Sequence, residues 1–144
     1  MALTVGTAVS TNAYDLGADA VASATRRDPT IGQPIATVLS VGVAAVTSGG
    51  ETYEFDAIQA DDAALTVNKE ILAKYAFTNA QSAAILVAGA IVVFPWPTGT
   101  ITRRYIGMQA VLAVGTAAVT VTAWIAPQHM VQMSRAYATL IKVL

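Results

Sequence analysis

The sequence predicts an all-β domain, an antiparallel sandwich or barrel, on three observations. Six to eight short runs rich in Val, Ile, Thr and aromatic residues are separated by turn signals every eight to twelve residues. No long stretch carries the apolar stripe of an amphipathic helix. The strand–helix alternation that a parallel sheet requires is missing.

Along the chain, the first thirty-three residues are small and rich in Ala, Thr and Ser, with Asn12, Asp15, Gly17, Arg26-Arg27, Asp28-Pro29 and Gly32-Gln33-Pro34. Few large side chains anchor this stretch, so residues 1–33 read as an extended N-terminal arm with one short strand around Ala13 to Leu16. From Pro34 the pattern becomes β: Ile35 to Val46 is a strand that stops at the turn cluster Thr47-Ser48-Gly49-Gly50. Glu51 to Ala57 alternates, with Tyr53, Phe55 and Ala57 on one face and Thr52, Glu54 and Asp56 on a solvated one.

Asp61 to Phe77 fits two descriptions. An aspartate caps a helix with Ala64, Val67, Ile71 and Tyr75 on one stripe, or a loop or helical turn leads into a strand alternating at Ile71, Ala73, Tyr75 and Phe77. Ser82 to Phe94, broken at Gly89, reads as two short strands or one bulged strand, closed by the turn Pro95-Trp96-Pro97-Thr98-Gly99. A strand from Thr102 to Ala113 breaks at Gly115. The next directs Val119, Val121, Ala123 and Ile125 one way and Thr120, Thr122 and Trp124 the other. Residues 34–126 thus form the sandwich. Residues 127–144 form a C-terminal tail, a helix or a docking strand, whose apolar residues need a surface.

Composition narrows function. A chain of 144 residues is one domain that buries roughly two-thirds of its unfolded surface. Hydrophobic residues make up 55% and charged residues only 12%, against about 25% in an average domain, so partners are expected to cover part of the surface. Eight basic against nine acidic residues supply no footprint for a phosphate backbone, and nucleic acid is not an expected partner. The absence of cysteine excludes disulfides, thiolate metal sites and cysteine nucleophiles. A lone His129 builds no two-histidine metal site, and no cofactor is expected. Ala83 to Phe94 is shorter than the ~20 apolar residues of a spanning helix, and Ala110 to Ala126 alternates like a strand, so no membrane partner is expected. The N-terminus lacks the charged start and apolar core of a signal peptide, so synthesis in the cytoplasm is expected.

Residues that tempt a chemical reading have plainer ones. His129 with Ser134 reads as an ordinary tail residue rather than a base. Glu54 and Asp56 read as a solvated strand face rather than a glycosidase pair. Asp61-Asp62 lacks the calcium-loop pattern and reads as a turn or cap. Trp96, between two prolines, reads as a loop residue that either is exposed for contact or packs locally, and with Tyr105 and Trp124 it is also compatible with a sugar-binding face. Arg26-Arg27 and Arg103-Arg104 are the doubled basic sites, of the residue type best suited to interface ion pairs.

The segment STNAYDLGA (Ser10 to Ala18), Gly32-Gln33-Pro34 before the first long strand, LVAGAIVVFPWPTG (Leu86 to Gly99) and RRYIGMQAVLAVGTAAVTVTAWI (Arg103 to Ile125), in that order, resemble the jelly-roll cement, or decoration, proteins of tailed-phage capsids. The resemblance runs from about Ser10 to Pro127. It departs at Trp96, where a leucine between the prolines is expected, and in the longer tail. It implies a jelly-roll sandwich without enzymatic activity on the capsid exterior of the virion. Such a protein bridges neighbouring major capsid protein subunits as a homodimer or homotrimer and braces the shell against packaged DNA. The partner-contact residues expected on that basis are Asn12, Tyr14, Asp15, Arg26 and Arg27 in the arm, then Trp96, Arg103 and Arg104, and His129, Met130, Met133, Arg135 and Tyr137 in the tail. The alternative is a carbohydrate-binding or receptor-binding β-sandwich of a phage particle.

Overall fold

A computed structural model describes residues 2–17, 30, 33–45 and 49–130. Among the described residues the elements run in the order β1 Ala2–Thr4, β2 Gly6–Val9, β3 Tyr14–Asp15, β4 Ile35–Val43, β5 Thr52–Ala60, β6 Glu70–Phe77, helix α1 Asn79–Ile85, β7 Ile91–Pro95, β8 Tyr105–Ala113 and β9 Ala118–Pro127. They form two antiparallel sheets. One has the order β1-β9-β4-β7; the other has β2-β8-β5-β6, with β3 also pairing β8.

The core lies between the sheets because each long strand alternates. Leu39 and Val41 of β4 and Val119 and Val121 of β9 face Tyr53 and Phe55 of β5 and Ala110 and Leu112 of β8. At its centre Phe55 meets Phe94 with ring centroids 6.0 Å apart and Phe77 at 6.3 Å. Tyr75 stacks on Phe94 at 4.5 Å, and its hydroxyl donates to the Pro95 carbonyl. At one end of the sandwich, Gln59 is buried and replaces missing backbone pairing. Its Oε1 accepts the N–H groups of Thr102 at 2.8 Å and Arg103 at 3.0 Å, and its Nε2 donates to Glu70 and Thr102.

The all-β sandwich agrees with the sequence, as do the inward faces of β5 and β9. Three local readings are corrected. Within residues 1–33, the short strand expected around Ala13 to Leu16 is present as β3, which pairs Ile106 and Tyr105, but the residues before it are strands rather than an extended arm: β1 pairs β9 and β2 pairs β8. Short small-residue strands carry little hydrophobic signal of their own, and backbone pairing with longer partners secures them. The chain changes sheets between β1 and β2 at Gly6, whose φ of +133° favours glycine. Second, of the run Ser82 to Phe94 only the end is a strand, β7, while its start belongs to the helix Asn79–Ile85. Its residues NAQSAAI lack a β-branched run until the last position, and the Thr78 N–H donates to Gln81 Oε1 at 3.0 Å at the helix start. Leu86, fully buried, anchors the helix end.

Third, the Glu54/Asp56 face is not uniformly solvated. The loop 61–69 folds across β5 and β8 and places Leu65 over Gly107. A Cβ on Gly107 would lie 2.5 Å from Leu65 Cδ1 and 2.8 Å from Ser10 Oγ, so a larger residue there would force these side chains to shift. Asp62 holds the loop by accepting the N–H groups of Thr66 and Val67 through Oδ1, which lowers its carboxyl pKa. Beneath lies Asp56, fully buried, with Oδ2 bonded to Gln109 Nε2 at 3.0 Å; burial and the nearby Glu54 charge push its pKa up. Glu54 is half-buried and pairs with Lys74 at 2.8 Å. Of the two readings of residues 61–77, the structure has a turn followed by a strand.

Candidate functional site: an open sheet edge and its groove

Charge is divided between the sheets. No residue of β1, β4, β7 or β9 carries an ionisable side chain, whereas Asp15, Glu54, Asp56, Glu70 and Lys74 all stand on the other sheet. The outer face of the uncharged sheet exposes Val43 (61%), Trp124 (45%) and Ile91 (42%). On it, Trp124 and Val93 flank Val38 across the register.

The edge of this sheet is only partly closed. β4 covers one side of β9 from Thr120 to Pro127, while β1 covers the other only at Ala118 to Thr120. The phase of the ladder follows from the Gln128 N–H, which donates to the Pro34 carbonyl at 2.8 Å. Even-numbered residues of β9 therefore bond β4, and odd-numbered ones turn their peptide groups the other way. Ala123 and Ile125 direct both N–H and C=O to a side that no described strand occupies.

Beside this edge a groove runs between the sheets. One part, about 260 Å³, is lined by Ser10, Asn12, Tyr14, Met108, Trp124 and Ile125 among others. A neighbouring part of about 250 Å³ reaches inward to Leu39 and Phe55, and a third of about 190 Å³ continues along Tyr14, Ile106 and Ile125 to Pro127.

Several predicted contact residues gather at the rim. Asn12 lines the groove; Tyr14 lines it and is 60% exposed. Asp15 closes the rim through Arg104, with its Oδ1 and Oδ2 each accepting a guanidinium N–H at 2.8 Å. That guanidinium also lies 4.9 Å from the centre of the Tyr105 ring. The Arg104 contact, aided by the Gly17 N–H, lowers the Asp15 pKa to about 2 from 3.8. A carboxylate with a depressed folded-state pKa stabilises the fold above its unfolded pKa, and this contribution is lost on acidification. Titrating the urea midpoint is therefore expected to show wild type losing stability relative to Asp15→Asn as pH falls from about 4 towards about 2. Parallel curves for the two proteins would remove the pair from the stability account.

Other predicted residues lie elsewhere. Arg103 is engaged within the chain, 3.0 Å from Asp61 and 3.6 Å from Glu70. Trp96 is not an exposed contact residue: it is 4% exposed, and its Nε1 donates to Thr37 Oγ1 at 2.8 Å. Its backbone N–H donates to the Ile35 carbonyl, extending the β4–β7 ladder by one residue and turning the indole inward on the same face as Phe94. His129 and Met130 are exposed just beyond β9. Arg26, Arg27, Met133, Arg135 and Tyr137 lie outside the described residues. Ala123 and Ile125 were absent from the expected contact set. The available signal was Trp124, a large aromatic in phase with threonines on an otherwise polar strand face.

Among the described residues, no group of three or more His, Asp or Glu side chains is placed to hold a metal, and no helix is long and apolar enough to cross a membrane. No family model matches the chain, and no curated protein is significantly similar to it.

Proposed function

We propose that this chain is a structural virion protein: a cement that binds the exterior of a tailed-phage capsid and ties neighbouring major capsid protein subunits together. It acts through contact rather than catalysis, as a homo-oligomer, with protein rather than nucleic acid or membrane as its partner. The observation that carries this reading is the charge-free sheet, whose outer face exposes Trp124, Ile91 and Val43 while charge is kept to the opposite sheet. A solvated monomer gains nothing from such a division, whereas an assembled shell gains a dry contact face repeated over many copies.

The strand order supports the jelly-roll part of the proposal. Leaving aside the two-residue β3, the eight remaining strands divide between the sheets as β1-β9-β4-β7 and β2-β8-β5-β6, the order of two interleaved Greek keys. The resemblance of Ser10 to Ala18 and Arg103 to Ile125 to phage cement proteins supplies the capsid. The sugar-binding alternative loses its Trp96 platform to burial.

The test is co-sedimentation with undecorated capsids of the source phage. Saturable pelleting at a fixed ratio to the major capsid protein is expected, with Trp124→Lys or Ile91→Lys weakening it by an order of magnitude or more, since a charge is placed in an apolar contact. A folded protein that stays in the supernatant with intact capsids would overturn the proposal.

A further inference from the structure

We infer that the open edge of β9 is a self-pairing interface, at which a second copy of this chain lays its own β9 antiparallel to the first and joins the two uncharged sheets into one. The inference stands independently of capsid binding. It begins with an edge that lacks the usual protection. Exposed strand edges in soluble proteins are normally blunted by charge, proline, bulges or covering segments. Residues 122–126 of β9 have neither charge nor proline, and the bulge of this sheet lies in β4 between Val41 and Val43, away from the open side.

The register is fixed by the peptide groups. Only Ala123 and Ile125 point both N–H and C=O outward within the open stretch. If a copy runs antiparallel about Trp124, Ala123 stands opposite Ile125 of the second copy and Ile125 opposite its Ala123. Each such pair exchanges two backbone hydrogen bonds. Every outward-facing N–H from Thr122 to Ala126 is then used.

Length and charge both favour a second copy as occupant. The free stretch is bounded by β1, which ends its cover at Thr120, and by Pro127, where the strand stops. A strand with the same limits fills that window without running into β1. Because neither β9 nor β1 carries an ionisable side chain, two copies meet without opposing like charges, and a strongly charged peptide would find no counter-ion on the strand. On the outer face the two copies of Trp124 become direct neighbours across the axis, which accounts for a tryptophan left 45% exposed on a strand. On the inner side Ala123 and Ile125 face the groove whose rim carries Tyr14.

Full-length protein in sedimentation equilibrium over a dilution series is expected to show a reversible species of twice 14.9 kDa. Ala123→Pro removes an outward N–H without touching the ladder to β4, and is expected to shift the protein to monomer while its far-ultraviolet circular dichroism stays that of a β-sandwich. A cysteine scan reads the register directly, because the chain has none of its own. In a non-hydrogen-bonded antiparallel pair the Cα atoms lie about 4.5 Å apart, inside the range a disulfide spans. Trp124→Cys is therefore expected to cross-link to a covalent dimer under mild oxidation, while Thr122→Cys, opposite Ala126 of the second copy, stays largely uncross-linked. A monomer at all concentrations would overturn the inference, and so would a dimer in which Trp124→Cys cross-links no faster than Thr122→Cys. Neither outcome bears on capsid co-sedimentation itself, so capsid binding and self-pairing fail separately, although a monomer would also remove the homo-oligomer from the proposed function.

Discussion

Phe55→Ala is expected to cost about 3–5 kcal/mol, a large share of the roughly 5–15 kcal/mol that holds a domain of this size folded. Phe55 is 1% exposed and sits where β5 faces the opposite sheet, in ring contact with both Phe77 and Phe94. Truncation removes both contacts and opens a cavity that strands paired on both sides of β5 have little freedom to close. The deep part of the groove also ends on Phe55, so the new void is expected to join it and admit water. Urea denaturation of the variant would show this as a lower midpoint. A loss below about 1 kcal/mol would mean that the sheets collapse onto the gap and that the core is more plastic than its packing indicates.

Removing residues 1–9 is expected to abolish cooperative unfolding, although the sequence reads these residues as part of an extended arm. The deletion takes away β1 and β2, and with them Leu3, which is 5% exposed within the main core cluster. Loss of that one buried leucine is worth about 2–5 kcal/mol. Pairing with β8 from Gln109 to Leu112 goes as well, which bares the edge of the second sheet beside the already open β9. Dye binding to exposed apolar surface, together with a broad thermal transition, is the expected signature. A truncated chain that kept the wild-type denaturation midpoint would restore the arm reading. Capsid-binding assays that use this deletion would report folding rather than contact, so point substitutions on the outer face are the better probes.

These two regions mark where the sequence was legible. Tyr53, Phe55 and Ala57 alternate with polar residues, and a strict period of two leaves little choice but a half-buried strand, which β5 is. The alternation of Val119, Val121, Ala123 and Ile125 fixed the inward face of β9 in the same way. Ala2–Thr4 and Gly6–Val9 have no comparable pattern, because small residues fit strand, turn or arm alike, and only β9 and β8 make them strands. The apolar run around Ala83 to Val93 was equally ambiguous, and its first residues became helical under Thr78 and Gln81. Trp96 was misplaced because flanking prolines mark a turn in sequence without revealing that one more ladder bond, to Ile35, turns the indole inward.

At the site, the sequence led to Asn12, Tyr14, Asp15 and Arg104 being expected as contact residues, among others, and the structure places these four at one rim. It gave no indication that Arg104 and Asp15 pair with each other, 89 positions apart, or that Arg103 is committed to Asp61. By itself, then, the sequence determined the class of fold, the inward faces of β5 and β9 and a composition poor in charge, because alternation and composition are local properties of the chain. Only the tertiary structure decided that β1, β4, β7 and β9, none of which carries a charge, share one sheet, that β1 stops short along β9, and that the peptide groups of Ala123 and Ile125 face a side no described strand occupies. Those features depend on which distant strands pair and in what register, and register is set by the packing of the whole sandwich rather than by any strand alone.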